Sequence, residues 1–212
     1  MTDIEEIMNS GKIYHVMDLT SKDTHYYEYL QKMETYNSMG YTSEAEKAKQ
    51  LMLKELFAEV GENTYIQAPY HAMWGGHHVH LGKNVYINFN CTFIDDAQIF
   101  IGDDTMIAPN VTIITASHPV SPTLRAKGYG YNKPVYIGKN VWIASNVTIL
   151  PGVQIGDNAI IGACSVVNRN IPSNVIAFGN PIKVQRKITS DDDIYYDHGK
   201  LISENIRKGT PL

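Results

Sequence analysis

His118 stands at the point in this sequence best suited to a catalytic base. It precedes an eighteen-residue stretch, 119–136, that contains three prolines, two glycines and three tyrosines. An imidazole can take a proton from a hydroxyl near neutral pH. A polar excursion of this length is more typical of a functional loop than of a simple connection. The alternative interpretation is a histidine that bonds to the backbone at a turn.

Other polar clusters invite a metal or redox interpretation. His77, His78 and His80 are close in sequence, and three imidazoles can bind zinc. Neighbouring residues on a strand point to opposite faces, however, so this spacing does not make them converge, and we expect no metal. Cys91 and Cys164 form no CxxC pair, and we expect small buried thiols.

A six-residue repeat of aliphatic side chains must position these residues. It runs without interruption through Ile137, Ile143, Ile149, Ile155, Ile161 and Val167. The same spacing occurs upstream at Leu81, Ile87 and Phe93 and, after a slip of two residues, at Ile101, Ile107 and Ile113. Three such hexads form one coil of a triangular parallel β-helix. We therefore expect one stack of Ile87, Ile107, Ile143 and Ile161, and another of Phe93, Ile113, Ile149 and Val167.

The corners of such a coil need residues that tolerate a positive φ, as Asn and Gly do. The fourth hexad position is occupied by Asn84, Asn90, Asn110, Asn140, Asn146, Gly152, Asn158 and Asn170. The repeat breaks at Asp95-Asp96 and again after His118. In this register Asp96 and His118 share a corner one coil apart, which would allow both to act within one chain.

Residues 1–62 have helical spacing and few glycines, which predicts a helical cap on a β-helix at 63–184, followed by a tail at 185–212. Capping boxes at Thr2 with Glu5 and at Ser43 with Glu46 predict helix starts, and another helix is predicted over 21–36. Gly61 is predicted to end the last helix. The apolar face of that helix is predicted to contain Ala45, Ala48, Leu51, Met52, Leu56 and Val60.

Bulk properties exclude some classes of function. The chain has 212 residues and a net charge of −4, which does not favour nucleic acid or an acidic membrane surface as a partner. No apolar stretch is long enough to span a bilayer and no leader pattern opens the chain, so we expect a cytoplasmic protein.

Several segments then carry a family resemblance. They are 88–96 (NFNCTFIDD), 107–112 (IAPNVT), His118-Pro119, 137–145 (IGKNVWIAS), 151–156 (PGVQIG) and 179–181 (GNP), with GKIY at 11–14 and YN at 36–37 in the helical cap. Together they resemble the hexapeptide-repeat acyltransferases, and most of all the maltose and galactoside O-acetyltransferases. The resemblance implies a mainly β fold, a left-handed parallel β-helix, in a homotrimer with sites between subunits. It also implies acetyl-CoA as donor and a sugar or glycoside hydroxyl as acceptor. The period alone does not give the handedness.

The resemblance also assigns roles to particular residues. It implies that His118 is the general base, and that the acceptor-binding residues are Asp18, Asn88 and Asp96. It implies that Trp142, Ser145 and Ala163 line the CoA channel, where Ser145 could also donate a hydrogen bond to the oxyanion. Cations facing the nucleotide phosphates would be Arg169, Lys183 and Arg186. No motif pairs a cysteine with His118, which favours direct transfer over an acetyl-enzyme.

The sequence departs from the family pattern at two places. Trp74 opens a stretch, 74–78, where a small or acidic residue followed by Tyr-Gly is usual, and the loop 119–136 has Tyr129-Gly130-Tyr131 in place of an acidic residue. Both changes predict an aromatic-lined pocket and an altered acceptor, such as a glycoside or amino sugar with an apolar portion. An antibiotic acetyltransferase of the chloramphenicol or streptogramin type and a catalytically silent solenoid remain alternatives.

Overall fold

The structure, a computed structural model, describes residues 3–17 and 25–209, without the side chains of 3–5. Thr2, at the start of the first predicted capping box, and Asp18 lie outside the described residues. Helices occupy Asp3–Asn9 (α1), Tyr26–Ser38 (α2), Ser43–Leu56 (α3), Pro122–Ala126 (α4) and Glu204–Arg207 (α5). A 3-10 helix spans Ser190–Asp193.

Most strands form the three faces of a parallel β-solenoid, which confirms the predicted fold class. Face 1 contains β2 (Glu59–Val60), β5 (Val79–Leu81), β8 (Ile99–Ile101), β13 (Val135–Ile137) and β16 (Gln154–Ile155). Face 2 contains β3 (Tyr65–Ile66), β6 (Tyr86–Ile87), β9 (Met106–Ile107), β14 (Trp142–Ile143), β17 (Ile160–Ile161), β19 (Val175–Phe178) and the antiparallel β20 (Lys183–Lys187). Face 3 contains β4 (His71–Ala72), β7 (Thr92–Ile94), β10 (Thr112–Ile114), β15 (Thr148–Ile149) and β18 (Val166–Val167).

The register of the hexads is the predicted one. Ile87 pairs with Ile107, Ile107 with Ile143, and Ile143 with Ile161 on face 2. On face 3 the pairs run Phe93–Ile113, Ile113–Ile149 and Ile149–Val167. All of these side chains are buried in one continuous core. Burying a large apolar side chain contributes about 1.5–3 kcal/mol, so these stacks stabilise the solenoid along its length.

The corners follow the prediction with one exception. Seven of the eight predicted corner residues have positive φ, whereas Asn170 does not and Asn174 takes that conformation instead. The Asn170 side chain accepts a hydrogen bond from the Gln154 backbone N–H at 3.0 Å. At the corner from face 1 to face 2, called corner 1–2, side chains form a ladder in which Asn140 donates to Asn158 and Asn158 donates to Asn174, each at 2.9 Å.

The helical cap packs on the first coil and shares its core, but helix α3 differs from its prediction in three ways. Its N-cap is Thr42, whose side chain accepts from Ala45 N, so the predicted capping box at Ser43 is wrong. It ends at Leu56, since Ala58 N already donates to Val79 O and face 1 begins there. A Cβ on Gly61 would lie 2.4 Å from the Gly82 backbone, so Gly61 permits close packing of coils and is not a helix C-cap.

The predicted buried face of α3 is right in part: Leu56 is buried and Met52 packs against the core, but Lys49 and Leu53 were not predicted and Leu51 does not belong to it. Lys49, Leu53 and Leu56 are its buried residues, whereas Leu51 is 69% exposed. The buried Lys49 ammonium is 3.1 Å from Glu46 and lies over the Tyr41 ring at 4.4 Å. This ion pair and the cation–π contact compensate for removing the charge from water.

The stretch 119–136 is an ordered excursion rather than an irregular loop. It contains α4 and the strand β12 (Tyr129–Asn132), which returns antiparallel to β11 (Ala116–Ser117). Strand β1 (Tyr14–His15) pairs with the other edge of β12. The tail continues from β20 into a hairpin, β21 (Tyr195–Tyr196) and β22 (Lys200–Leu201).

Candidate active site

His118 lies at the corner from face 3 to face 1, called corner 3–1, where β11 leads into the excursion. Its side chain is exposed, and its Nδ1 is 2.9 Å from the backbone oxygen of Tyr129. A carbonyl oxygen can only accept, so this contact requires Nδ1–H and leaves Nε2 as the acceptor in the neutral ring. His118 therefore has the tautomer that a general base needs, and a backbone carbonyl orients it.

Asp96 occupies the same corner one coil earlier. Its Oδ1 accepts from the indole N–H of Trp74 at 3.3 Å. Burial raises the pKa of the Asp96 carboxyl, although the Trp74 hydrogen bond and the nearby charges of His78 and His118 lower it. Asp96 and His118 thus lie at the same corner on consecutive coils, as predicted, because β7 pairs with β10 in register.

The sequence predicted that Trp74 would line an open aromatic pocket, and this prediction is wrong. It is only 1% exposed, and its ring centroid lies 4.8 Å from that of Tyr26. Its backbone N–H donates to Asp95 at 2.8 Å while its indole donates to Asp96. Trp74 therefore holds both aspartates from the interior. A polar partner for the indole nitrogen is the usual requirement for burying this side chain.

Asp95 is fully buried beside Asp96. Its Oδ1 accepts from Trp74, whereas Oδ2 has no hydrogen-bond partner among the described residues. Burial raises the pKa of Asp95 to about 7, against the lowering effect of the Trp74 hydrogen bond. The two adjacent carboxyls thus have different environments, and the buried one becomes neutral most readily.

The predicted donor residues lie on face 2 and at the corner from face 2 to face 3, called corner 2–3. Trp142 is 48% exposed on β14. Ser145 and Ala163 stack one coil apart, and Cys164 N donates to Ser145 O at 3.0 Å. Asn88 precedes the same corner two coils below, where its Oδ1 accepts from Phe89 N. Within one chain, face 3 separates these residues from His118 and Asp96.

This chain is similar in sequence to known proteins. A family model described as bacterial transferase hexapeptide (six repeats) matches residues 134–169. The galactoside O-acetyltransferase of Lactococcus lactis is 50% identical over 175 residues, which is 82% of this chain and 84% of that protein. The chain belongs to the hexapeptide-repeat acyltransferases.

Solved structures agree with that assignment. A galactoside acetyltransferase in complex with coenzyme A has a TM-score of 0.86 and 38% identity, covering 96% of this chain and all of that one. A maltose O-acetyltransferase from Clostridium difficile has a TM-score of 0.82 and 38% identity, covering 88% and 97%. Membership in this acyltransferase family makes the chain an enzyme and excludes the silent solenoid.

The cations predicted for this acyltransferase do not form one cluster within the chain. Lys183 and Arg186 are exposed on β20, at the edge of face 2. The Arg186 guanidinium binds both carboxylate oxygens of Asp192, at 2.7 and 2.6 Å. Arg169 is at corner 3–1, where its Nε donates to Asn168 at 3.4 Å. The three cations therefore lie on different parts of the solenoid within one chain, and their role in facing the nucleotide phosphates stays a prediction.

The three clustered histidines contact different partners. His77 stacks on Tyr29 at 4.2 Å, His78 Nδ1 is 2.7 Å from Asp95 O, and His80 Nε2 is 2.6 Å from Gln98 Oε1. Over residues 3–17 and 25–209, no group of three His, Cys, Asp or Glu side chains converges as metal ligands would. In the same part of the chain, no helix is long and apolar enough to cross a bilayer.

Sequence reasoning missed three features of the site and one of the thiols. The Tyr129 carbonyl and the buried Asn132 have no motif that marks them, and the aspartate-holding role of Trp74 depends on its burial. Cys91 is buried as predicted, but Cys164 is exposed at a corner with φ of 59°. Cys164 occupies the corner position of its hexad, and this position could have indicated that its side chain is exposed.

Proposed function

We propose that this acyltransferase moves an acetyl group from acetyl-CoA directly to a hydroxyl of a sugar or glycoside, with His118 as general base. The observation that carries the proposal is the Nδ1 contact of His118 with the Tyr129 carbonyl, which leaves Nε2 able to accept a proton beside Asp96. The printed names of the relatives, galactoside and maltose O-acetyltransferases, support the acceptor class.

The reaction needs one proton carrier and two binding groups. His118 Nε2 takes the acceptor hydroxyl proton as the oxygen forms its bond to the acetyl carbon. The same imidazolium returns that proton to the departing thiolate as the C–S bond breaks. Asp96 accepts a hydrogen bond from another acceptor hydroxyl, and Asn88 can both donate and accept. Acetyl-CoA supplies the activated acetyl group as a thioester.

The donor corner suits an extended ligand. Small residues repeat along corner 2–3: Ala108, Ala144 and Gly162 in one row, and Pro109, Ser145 and Ala163 in the next. The exposed Trp142 indole flanks them, and Lys183 follows at the edge of face 2. Backbone and small side chains let a long ligand lie against the corner, while a cation and an aromatic face can contact its phosphates and its base.

The separation of the two corners supports a site shared between chains. His118 and Asp96 are at corner 3–1, whereas Asn88, Ser145 and Ala163 are at corner 2–3. Face 3 lies between these two corners within one chain, which favours a site formed where corners of two chains meet. We therefore propose the homotrimer that the resemblance implies, with corner 3–1 of one subunit facing corner 2–3 of the next.

Mixed assemblies test this arrangement directly. His118→Ala and Asn88→Ala protomers, each expected to have low activity alone, should recover activity when co-expressed, since some sites then combine an intact His118 with an intact Asn88. No recovery in confirmed mixed assemblies would place both residues in one chain. Light scattering should give about three times the protomer mass of 23.8 kDa.

The acceptor class is tested by a panel of sugars, glycosides, amino sugars and antibiotics, with thiol release from acetyl-CoA as the readout. Transfer to a sugar hydroxyl is the expected result, and chloramphenicol or a streptogramin as the best acceptor would contradict it. With Trp74 buried, only the half-buried Tyr129 and Tyr131 still favour an acceptor with an apolar portion. Maltose or a simple galactoside as the best substrate would exclude that preference while leaving the reaction intact.

Acetyl-CoA is a cytoplasmic metabolite, so we propose that the enzyme acts there, and cell fractionation with antibody detection would check it.

A further inference from the structure

We propose that Asn132 is a positioning residue that sets the distance between Asp96 and His118. It lies within the excursion after His118 and has no role in the proposed chemistry above. The inference rests on the proposed function, because it concerns the spacing of the base and the acceptor-binding carboxylate.

Asn132 bonds two segments that are remote in sequence. Its Nδ2 donates to the backbone oxygen of Asp96 at 2.7 Å, and its Oδ1 accepts from the Tyr14 hydroxyl at 2.9 Å. Both ends fix the orientation of the amide. The Asp96 carbonyl can only accept, so Nδ2 must face it. Burial and the Asp96 charge raise the pKa of Tyr14 to about 12, so its hydroxyl keeps the proton that it donates.

The same residue belongs to the strand that orients His118. Asn132 pairs with Ala116 across β11 and β12, and Lys133 N donates to Thr115 O at 2.8 Å. Tyr129, whose carbonyl accepts from His118, begins the same strand. A shift of β12 away from corner 3–1 would therefore move the Tyr129 carbonyl and change the position of His118 relative to Asp96.

Asn132 is 1% exposed, so its hydrogen bonds have no competition from solvent. Removing one partner of a buried hydrogen bond leaves the other unsatisfied, which costs more than the net contribution of the bond itself. The nearby Gly130 adds a steric constraint, because a Cβ there would lie 2.9 Å from Val16 and 3.2 Å from Ser117 O. The strand is thus fixed closely against the corner that holds the base.

The test replaces Asn132 by Asp, which keeps the shape but places an acceptor oxygen against the Asp96 carbonyl. We expect kcat/KM for the sugar to fall about 10- to 100-fold, while KM for acetyl-CoA changes less than about twofold. Asn158→Asp is the matched control, since Asn158 makes two similar amide bonds at corner 1–2 and should leave both constants unchanged.

A second readout is independent of turnover. In ¹⁵N-histidine spectra the signal lost in His118→Ala protein identifies His118. We expect wild type to show Nδ1–H and Asn132→Asp to show a mixture of tautomers. The two proposals can therefore fail separately. A wild-type protein that acetylates no sugar contradicts the proposed function, whereas an unchanged His118 tautomer in Asn132→Asp contradicts the positioning role of Asn132.

Tyr14→Phe provides the variant that needs no change at Asn132. It removes the donor to Asn132 Oδ1 and should lower kcat/KM for the sugar about 3- to 10-fold. If Asn132→Asp fails to fold, the kinetics of Tyr14→Phe test the positioning role instead. The positioning role would be overturned if either folded variant kept kcat/KM for the sugar within twofold of the wild-type value. It would also be overturned if KM for acetyl-CoA rose by the same factor as kcat/KM for the sugar fell.

Discussion

Corners 1–2 and 3–1 of this solenoid differ in how regularly the hexad repeat continues through them. At corner 1–2 an uninterrupted column of residues has positive φ, and Asn side chains bond from coil to coil. At corner 3–1 the repeat is broken twice, and the extra residues include Asp95, Asp96 and the excursion after His118. The regular corner holds no proposed site residue.

This difference shows how a repeat scaffold can accommodate chemistry. Corner 1–2 satisfies its polar groups with its own neighbours, so substitutions there should alter stability alone. Corner 3–1 buries the Asp95 carboxyl, whose Oδ2 has no hydrogen-bond partner within residues 3–17 and 25–209, beside the residues proposed to face a substrate. Local rules are broken where function requires it, at some cost in stability.

The largest expected effect is at the base itself. His118→Ala should lower kcat by roughly 10² to 10⁴ with no loss of thermal stability, because a general base contributes about that factor. Steady-state kinetics and a thermal melt measure both quantities. His198→Ala, which changes an exposed histidine of the tail hairpin, is the control. A His118→Ala rate near that of wild type would remove the assignment.

Asp95→Asn should change how stability depends on pH. The folded pKa of about 7 lies above the unfolded value, so the Asp95 contribution to the free energy of unfolding falls as pH rises from about 4 to about 7 and is constant above that. Asn cannot ionise, so the variant should match wild type near pH 4 and exceed it at pH 8.

The gain at pH 8 should be at most about 4 kcal/mol, from about three pKa units. Urea unfolding at fixed protein concentration, performed at both pH values, measures it. A difference between the two proteins that does not vary with pH would show that Asp95 does not titrate in this range.

Trp74→Phe removes the N–H that orients Asp96 while keeping most of the ring. A hydrogen bond to a charged group contributes about 1.5–3 kcal/mol, so kcat/KM for the sugar should fall about tenfold or more. Trp142→Phe should instead raise KM for acetyl-CoA. Identical kinetic effects of the two substitutions would contradict the assignment of the two corners to acceptor and donor.

The smallest expected effect is at the regular corner. Asn158→Ala breaks two ladder bonds and places Ala at φ of 59°, which should cost about 1–2 kcal/mol of unfolding free energy. Turnover should not change. Denaturant titration and kinetics of the same preparation measure both, and a loss of turnover would mean that corner 1–2 contributes to the site.

Much of the fold could be predicted from sequence because the hexad is a local signal repeated many times. The stacks of Ile87 with Ile107 and of Phe93 with Ile113 follow from counting, even across the slip. Helix α3 was predicted less well: Leu51 is exposed and Leu53 is buried. The buried face of α3 is determined by its contact with the first coil, and the spacing of apolar residues within the helix does not predict that contact.

The candidate site divides in the same way. The sequence places His118 and Asp96 at breaks in the repeat, and the family resemblance predicts their roles, which stay predictions. The residues that hold them could not be predicted from the sequence. The Tyr129 carbonyl is a backbone group, Asn132 is one Asn among many, and Trp74 suggested an open aromatic pocket until its burial was known.

The sequence by itself determined the coil, its register and the two places where the repeat fails, because burial of one aliphatic residue per hexad admits a single register. Only the tertiary structure decided which groups orient His118, the proposed base, and the Asp96 carboxylate. Those contacts join Tyr14, Trp74, Asp96 and Asn132, segments far apart in the chain, through hydrogen bonds that depend on their final positions.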